Sequence, residues 1–306
     1  MRVTRRKRGK NNNRFLFILF IALCSIIAAW HLGSSNLQGT VSGINGTEAS
    51  VAEGRAAESS LVVHFIDVGQ GDATLIQTSA GNVLIDGGDR RTADTVVRYL
   101  QNSGVDRIAY VIATHPHADH IAGLVNVLNT FDVDTIIMPR VAHTTVTFER
   151  LLDAIETNDV TVREPSAGSS LTLGDTVFTI VAPISTGYRN LNNYSVSVRV
   201  AHGSVAFLFT GDAEAESENE MLTGDHNLSA QVLHIGHHGS NSSTTQAFLD
   251  AVSPEIAVIS LGAGNSYGHP HVEVVNRLEG AGVTIYRTDL QGTIVMSTDG
   301  TILTVH

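Results

Sequence analysis

Three histidines and an aspartate fall within six consecutive positions of this chain, in the stretch His115-Pro116-His117-Ala118-Asp119-His120. They come directly after an apolar run, 108–113, whose pattern is typical of a buried strand. The apolar segment that follows, 121–128, predicts a helix. The cluster is therefore predicted to lie on a turn that joins a buried strand to a helix.

The spacing of these four side chains suits metal ions. Residues two apart in an extended backbone share a face, so His115 and His117 can bind one ion. Asp119 and His120 are adjacent where the helix begins and can face a second ion. Imidazole nitrogen and carboxylate oxygen are ligands for zinc, manganese or iron. The alternative is two surface histidines beside an aspartate that caps a helix.

The chain has 306 residues and a formal net charge of −11, but the charge is unevenly spread. The first fourteen residues hold seven of the 19 basic side chains of the chain and no acidic one. The remaining residues therefore hold 12 basic and 30 acidic side chains, a net charge of −18. No lysine follows Lys10. This acidic body argues against broad non-specific affinity for nucleic acid, which needs basic contacts to phosphates. It does not exclude a phosphodiester that metal ions attract.

The amino terminus predicts a membrane anchor. Residues 15–32 are almost wholly apolar and follow the basic tail 1–14, and their length is near the roughly 20 residues that span a bilayer. We expect a single-pass anchor at the cell membrane, with the basic flank inside and the remaining chain outside. A cleaved signal peptide, and hence secretion, is the alternative. Residues 33–60 have the composition of a flexible linker, so the folded domain is expected over 61–306.

Further polar side chains lie where other predicted strands end. Asp67 and Asp72 fall in the glycine-rich turn of a hairpin. Asp86 ends another strand, where its carboxylate can hold a liganding histidine by the free N–H of the ring; a plain turn aspartate is the alternative. Comparable positions beside predicted strands are held by Asn193, Ser195, Asp212, His237, His238 and His269. Because ligand sites in layered α/β folds gather at strand ends, these residues predict one convergent site.

The pattern His-x-His-x-Asp-His after a strand resembles the signature of the metallo-β-lactamase superfamily. That resemblance implies an α/β fold, the four-layer αββα sandwich, with one or two metal ions at its edge. The predicted strands, with helices between them and a rough repeat after residue 170, agree with a sandwich of two similar halves.

Six stretches in a fixed order narrow the resemblance to the hydrolase domain of ComEC-type competence (DNA-uptake) proteins, over about residue 61 to the end. They are 65–72 (FIDVGQGD), the histidine cluster, 192–195 (NNYS), 209–214 (FTGDAE), 236–240 (GHHGS) and 265–270 (NSYGHP). ComEC-type channels carry a large multi-span membrane domain, whereas this chain has one apolar segment. It is therefore predicted to be a free-standing, membrane-anchored relative of that domain.

The resemblance also implies roles for the candidate residues. The implied ligands are His115 and His117 for the first metal, Asp119, His120 and His237 for the second, and Asp212 as the bridge. Asn193 stands where many superfamily members offer a third histidine to the first metal. Because an amide oxygen is a weaker and harder ligand, manganese becomes an alternative to zinc. The residues expected to support the ligands or contact substrate are Asp67, Asp72, Asp86, Asn193, Ser195 and His238.

Three functions are open. The favoured one is a two-metal phosphodiesterase, most simply a nuclease acting on DNA outside the membrane, in which two ions of Zn or Mn about 3.5–4 Å apart activate a water. Its expected catalytic residues are Asp119, Asp212 and His269, and the candidates for the leaving-group acid are His269, His238 and Tyr267. The second keeps the metals but acts at the cell surface on a wall polymer, a phosphorylcholine ester or a lactam, which the acidic body favours. The third is a binding scaffold, which the complete ligand set argues against. No protein partner is identifiable.

Overall fold

The computed structural model describes residues 60–306. The predicted basic tail 1–14, the predicted anchor 15–32 and the predicted linker up to residue 59 lie outside the described residues. The division of the chain into these segments stays a prediction. The first strand begins at Leu61, the residue where the sequence predicts the folded domain to start.

The expected membrane location is not supported. Within residues 60–306, no helix combines the length and the apolar composition that are needed to cross a bilayer. The segment on which the expectation rested, 15–32, lies outside the described residues. The prediction of a single-pass location at the cell membrane is corrected accordingly.

Short strands and short helices alternate along the described chain, because apolar runs of a few residues are separated by turn residues. The strands are β1 Leu61–Phe65, β2 Thr74–Thr78, β3 Gly81–Ile85, β4 Arg107–Ile112, β5 Asp132–Ile137, β6 Thr161–Arg163, β7 Ser170–Leu173, β8 Thr176–Ala182, β9 Ser197–His202, β10 Val205–Phe209, β11 Val232–His234, β12 Ile256–Ile259, β13 Thr284–Arg287, β14 Ile294–Thr298 and β15 Leu303–Val305. The α-helices are α1 Ala93–Asn102, α2 Ala118–Ile121, α3 Leu124–Thr130, α4 Val146–Thr157, α5 Ala215–Thr223, α6 Gln246–Val252, α7 Val272–Gly280 and α8 Thr288–Gln291.

The strands form two sheets that share one plan. The first sheet has the order β15-β14-β1-β2-β3-β4-β5-β6, and the second has the order β13-β12-β11-β10-β9-β8-β7. One half of each sheet is antiparallel, whereas β3 to β6 in the first and β10 to β13 in the second run parallel. Helices cross over between the parallel strands, as parallel pairing requires. The two similar halves predicted from the sequence are present, except that β14 and β15 return to the first sheet.

Three groups of buried apolar side chains fill the spaces between these layers. The first lies between the two sheets and includes Phe65 and Phe207. The second lies between the first sheet and its helices and includes Leu100 and Leu151. The third lies between the second sheet and its helices and includes Leu278. Two sheets between two helical layers make the four-layer αββα sandwich, so the predicted fold class is confirmed.

Alternation along each strand decides which side chains meet in which layer. In β10, Phe207 and Phe209 lie between the sheets, whereas Leu208 packs against the helices of the second half. An extended backbone imposes this period of two. Since both faces are buried, such strands appear in the sequence as continuous apolar runs rather than as alternating ones.

The segment after the histidine cluster departs from the single helix predicted over 121–128. Helix α2 ends at Ile121 and α3 begins at Leu124, with a break at Gly123. A Cβ at Gly123 would overlap the carbonyl oxygen of Gly87, and the Gly123 N–H donates to the Gly88 carbonyl over 3.0 Å. The break therefore comes from contact with the loop after β3, which helical periodicity alone does not report.

Replacing Gly123 with alanine is expected to lower the free energy of unfolding by about 1–3 kcal/mol, because the added methyl group overpacks the contact with Gly87. The matched control is Gly280→Ala at the end of α7, where a Cβ meets nothing within 4 Å and alanine is the better helix former. Urea unfolding compares the two variants with the parent chain. Equal stability of both variants would contradict the close packing at Gly123.

Candidate metal centre

The residues predicted to form a site follow strands of both sheets. Asp86 follows β3 and the histidine cluster follows β4 in the first sheet, whereas Asp212 follows β10 and His238 follows β11 in the second. These are the carboxyl ends of parallel strands, where ligand sites form in layered α/β folds. Buried histidine and aspartate side chains from both sheets converge there.

Close backbone contacts hold the first-sheet loops together. Gly71 has a φ of +135°, and a Cβ at this position would overlap the carbonyl oxygen of Asp119. The Asp72 N–H donates to that same carbonyl over 3.2 Å, and the Gly88 N–H donates to the Asp72 carbonyl over 2.8 Å. Only glycine allows such an approach without strain. The loops therefore place the Asp72 carboxylate next to the histidine cluster.

The first group of potential ligands consists of His115, His120 and Asp212, all buried, with one ligand atom of each within 4.8 Å of the others. His115 Nε2 lies 3.5 Å from Asp212 Oδ2, and His120 Nε2 lies 3.3 Å from Asp212 Oδ1. His117 adds its ring to this side, with Nδ1 3.0 Å from His115 Nε2. The two histidines expected to share one ion are thus adjacent, and Asp212 contacts one of them directly.

A second group consists of Asp119, His120 and His238. His238 Nε2 lies 3.3 Å from Asp119 Oδ2 and 3.7 Å from Asp212 Oδ1. Asp72 joins two further groups, one with Asp86 and His120 and one with Asp212 and His238. The four groups overlap, because they share His120, His238 and Asp212.

Four buried atoms in these groups make no well-formed hydrogen bond and face neighbouring ionisable groups at 3.3 Å or more: Asp72 Oδ1, His120 Nε2, Asp212 Oδ1 and His238 Nε2. Leaving a buried polar atom without a partner costs about 1–3 kcal/mol, and more for a charged group. A divalent cation bound between these atoms would satisfy them. The donor set, imidazole nitrogen and carboxylate oxygen with no cysteine in the described chain, therefore fits a metal centre.

The electrostatics of the site favour ionised Asp212, Asp119 and Asp72, whereas burial raises the pKa of Asp86. Burial opposes the charge on Asp212, but the charges of His120 and His238 outweigh burial and hold the pKa of Asp212 well below its usual range. The pKa of Asp119 is lowered for the same reasons. Burial also opposes a charge on His120, yet Asp212 and Asp86 raise the pKa of His120 well above its usual value. A cation would therefore meet charged carboxylates and compete with protons on the histidines.

Asp86 holds His120 from behind. Its Oδ2 lies 2.8 Å from His120 Nδ1, and it also accepts hydrogen bonds from the Thr114 N–H and hydroxyl over 2.8 and 2.7 Å. Asp86 is fully buried, with a φ of 57°. These contacts leave His120 Nε2 directed at Asp212 and Asp119. The structure thus places Asp86 where the sequence predicts a carboxylate that orients a liganding histidine.

Ser195 links the two sheets at the site. Its hydroxyl accepts a hydrogen bond from the Asp212 N–H over 3.0 Å and lies 3.4 Å from His115 Nδ1. The Val196 N–H donates to the Thr114 carbonyl over 2.9 Å beside it. Ser195 therefore positions the loop that carries Asp212 against the histidine cluster.

The Asn193 side chain is hydrogen-bonded to the start of α5, and its predicted place beside the first metal stays a prediction. Its side-chain oxygen accepts hydrogen bonds from the Glu214 and Ser217 N–H groups over 3.0 and 3.4 Å, and its amide donates to Glu216 over 3.0 Å. The oxygen is thus committed to the first turn of α5. The neighbouring Asn192 instead has a buried Oδ1 without a hydrogen bond.

The structure brings the His238 ring rather than the His237 ring into the ligand groups, whereas the sequence predicts His237 as the ligand. His238, expected only to line the site, belongs to two ligand groups, whereas His237 belongs to none of those found in the described chain. The His237 ring lies at the rim, 24% exposed, with Nε2 3.7 Å from Asp212 Oδ2 and Nδ1 3.0 Å from the Ser242 hydroxyl. Both residues have a left-handed backbone in the 3₁₀ turn Gly236–Gly239, and this turn decides which ring faces inward.

Besides His117, Asn193, Ser195 and His237, two further predicted residues lie outside the ligand groups found in the described chain. Asp67 is exposed, and its carboxylate accepts a hydrogen bond from the Gly69 N–H over 3.0 Å within its own turn. His269 lies beside the groups, with its ring centroid 5.7 Å from that of His237 and 6.4 Å from that of His238. Burial, helped by the charges of His238 and His237, lowers the pKa of His269 to about 4.

Two glutamates contribute contacts that the sequence did not predict. Glu214 accepts hydrogen bonds from Asn192 and Ser242 over 3.1 and 3.2 Å and lies 3.4 Å from His237 Nδ1. The only sequence signal for these contacts is that Glu214 lies two residues after Asp212, in the stretch 209–214. Glu218 is buried on α5 and accepts a hydrogen bond from the Thr245 N–H over 2.8 Å at the start of α6; in sequence it has the pattern of a solvated helix residue.

Comparisons with known proteins agree with this geometry. A model of the metallo-beta-lactamase superfamily matches residues 66–263. ComE operon protein 3 of Bacillus subtilis (strain 168) is 30% identical over 250 residues, which cover 76% of this chain and 32% of that protein. Competence protein ComA of Neisseria gonorrhoeae is 31% identical over 248 residues, with 78% and 32% covered. The metallo-beta-lactamase fold protein YhfI from Bacillus subtilis superposes with a TM-score of 0.52 at 13% identity, covering 78% of this chain and 100% of that one.

The chain belongs to the metallo-beta-lactamase superfamily. Within it, the relatives are competence proteins of the ComEC type, which confirms the resemblance predicted from the six sequence stretches. The chain spans about a third of the length of these curated relatives.

Asp86→Asn is expected to weaken the binding of a divalent ion by about 10–100-fold, because an amide cannot accept all three hydrogen bonds that orient His120 and Thr114. Asp67→Asn makes the same chemical change in an exposed turn and should leave the affinity unchanged. Isothermal titration with zinc and with manganese measures both. If Asp86→Asn binds as tightly as the parent chain, the carboxylate does not orient a ligand.

His238→Ala should reduce the number of metal ions bound per chain, whereas His237→Ala should retain the parent stoichiometry. The reason is that the two rings occupy different positions relative to Asp119 and Asp212. Elemental analysis of the purified variants after dialysis gives the ratio directly. The opposite result would restore His237 as the ligand that the family resemblance implied.

Proposed function

We propose that this protein is a metal-dependent phosphodiesterase that uses two divalent ions, zinc or manganese, to cleave the phosphodiester bonds of DNA. The observation that carries the proposal is the set of four buried ligand atoms without a well-formed hydrogen bond, shared among overlapping groups of histidine and aspartate from both sheets. Two neighbouring positions for cations are what phosphoryl transfer by paired metals requires.

The residues divide between these two positions. His115 and His117 would hold the first ion, and Asp119, His120 and His238 would hold the second, with the Asp212 carboxylate between them. Asp72 is close enough to contribute to the second position. When bound, such ions neutralise charge on the phosphoryl oxygens and lower the pKa of a bound water.

The remaining side chains at the rim of the site would contact the substrate. His238 Nδ1 lies 3.0 Å from the Ser260 carbonyl and its Nε2 would face the second ion, so we assign His238 as a ligand rather than as the leaving-group acid. His269, with a pKa near 4, is neutral at pH 7 and would serve as a hydrogen-bonding partner rather than as an imidazolium acid. His237, held by Ser242 and Glu214, presents its Nε2 toward the same space.

DNA as the substrate is an inference from the resemblance to competence proteins, of which this chain spans about a third. A second candidate is a metal-dependent hydrolase of a non-nucleic substrate, such as a wall polymer, a phosphorylcholine ester or a lactam. The acidic composition favours this candidate, because no lysine occurs among the described residues and phosphate backbones are usually bound by basic side chains.

Asp212→Ala should lower kcat/KM on a phosphodiester by more than about 100-fold, because it removes a proposed metal ligand. Loss of a residue that only orients a ligand costs about 10–100-fold. Asp132→Ala, which removes a carboxylate that is 70% exposed, is the control and should keep full activity. The assay follows hydrolysis of linear DNA, bis-nitrophenyl phosphate and a β-lactam with zinc, manganese or magnesium.

Each pattern of results selects one function. Cleavage of DNA and of the small diester supports the nuclease. Cleavage of the small diester or the lactam alone supports the second candidate, and an active Asp212→Ala variant would remove the bridging role of Asp212.

A further inference from the structure

A single large aromatic side chain stands exposed beside the site. Among the exposed large apolar residues of the described chain, Tyr267 is the one aromatic, with 63% of its surface open to solvent. It lies on the loop between β12 and α7 that also carries His269. An exposed apolar side chain is ordinary by itself, so its meaning depends on what it contacts.

The Tyr267 ring continues a line of rings that starts in the ligand groups. It stacks on the His269 ring with centroids 5.6 Å apart and an interplanar angle of 23°. His269 in turn lies 6.4 Å from the His238 ring at an angle of 32°. One face of Tyr267 is therefore supported by the site itself, while the side chain remains largely open to solvent.

Hydrogen bonds hold the loop in this conformation. The Asn265 side-chain oxygen accepts from the Tyr267 and His269 N–H groups over 3.2 and 3.0 Å. Its amide donates to the Gly262 and His269 carbonyls over 3.0 and 2.7 Å. The Gly262 N–H donates to Gln70 Oε1 over 3.3 Å on the opposite loop. A ring fixed in this way loses little conformational entropy when a flat group stacks on it.

The charge of the protein favours a contact of this kind over phosphate contacts for a nucleic acid substrate. No lysine occurs in residues 60–306, and arginines such as Arg107 and Arg287 are paired with Asp134 and Asp289. Attraction to phosphates along the strand is therefore weak. Stacking of bases on an aromatic ring does not depend on charge and tolerates any base.

We propose that Tyr267 is the stacking platform for a nucleobase next to the scissile phosphate, and that the substrate class is single-stranded rather than duplex DNA. This inference rests on the proposed phosphodiesterase function. Bases in a duplex are already stacked on their neighbours, so only an unpaired or extruded base can cover the ring. The metal groups then receive the adjoining phosphate.

The test compares kcat/KM of the parent chain, Tyr267→Ala and Tyr267→Phe with manganese or zinc on three substrates. These are a short single-stranded oligodeoxynucleotide, the same length of abasic deoxyribose phosphate, and the blunt duplex. Tyr267→Ala should lower kcat/KM on the oligonucleotide by about 5–100-fold and leave turnover of the abasic strand unchanged. Tyr267→Phe should retain the parent value, because the ring and not the hydroxyl makes the contact; a loss in Tyr267→Phe on every substrate would instead assign the hydroxyl as the leaving-group acid and overturn the platform.

Ile302→Ala, which truncates an apolar side chain that is 66% exposed in the turn before β15, is the control and should act like the parent chain on all three substrates. Thermal unfolding of each variant verifies that the loop change leaves the fold intact.

Two different failures are distinguishable. If the parent chain cleaves none of the substrates with any metal, the phosphodiesterase proposal falls and the inference falls with it. If the parent chain cleaves DNA but Tyr267→Ala lowers kcat/KM equally on the oligonucleotide and the abasic strand, or on neither, the stacking role of Tyr267 is wrong. The proposed phosphodiesterase activity is unaffected by that result. Preference of the parent chain for the blunt duplex also overturns the stacking role.

Discussion

The burial of Asp212 among His115, His120 and His238 is the interaction on which the rest of the site depends. A carboxylate that is 2% exposed is costly to bury unless opposite charges or a cation compensate. The compensating rings come from the other sheet and from the next strand of its own sheet. The strand ends of both sheets must therefore meet within a few ångströms, and the αββα sandwich places them there.

Three residues close to the strand ends of the site have a left-handed backbone, which most residues avoid. Asp86, His237 and His238 all have φ values between 53° and 57°, a left-handed region that costs an ordinary residue about 1–3 kcal/mol. Asp86 gains three hydrogen bonds in that conformation, and His238 gains its place among the ligands. Strain at these positions is thus offset by contacts that only the folded site provides.

Recognition and chemistry occupy different parts of the same opening. The ligand groups are buried and acidic, whereas the rim carries a half-buried His237, a neutral His269 and an exposed Tyr267. Residues 60–306 carry an excess of acidic side chains and no lysine, and such a surface repels a polyanion at long range. In the proposed function, cations at the centre and an aromatic ring at the rim would be the contacts that bind a phosphodiester, and both are local.

Local pattern was sufficient to predict the approximate strands, a layered α/β fold and the residue types at each strand end, because apolar runs, turn residues and the histidine cluster are properties of neighbouring residues. The αββα layers were predicted from the family resemblance that the histidine cluster carries. It was insufficient wherever two similar side chains are adjacent. His237 and His238 differ only in which way a 3₁₀ turn directs them, and Asn192 and Asn193 differ only in which oxygen reaches the first turn of α5. The break at Gly123 likewise comes from a loop distant in sequence. The sequence by itself determined which chemistry is available at the site; the tertiary structure decided which member of each pair performs it, because that choice depends on contacts between the two sheets.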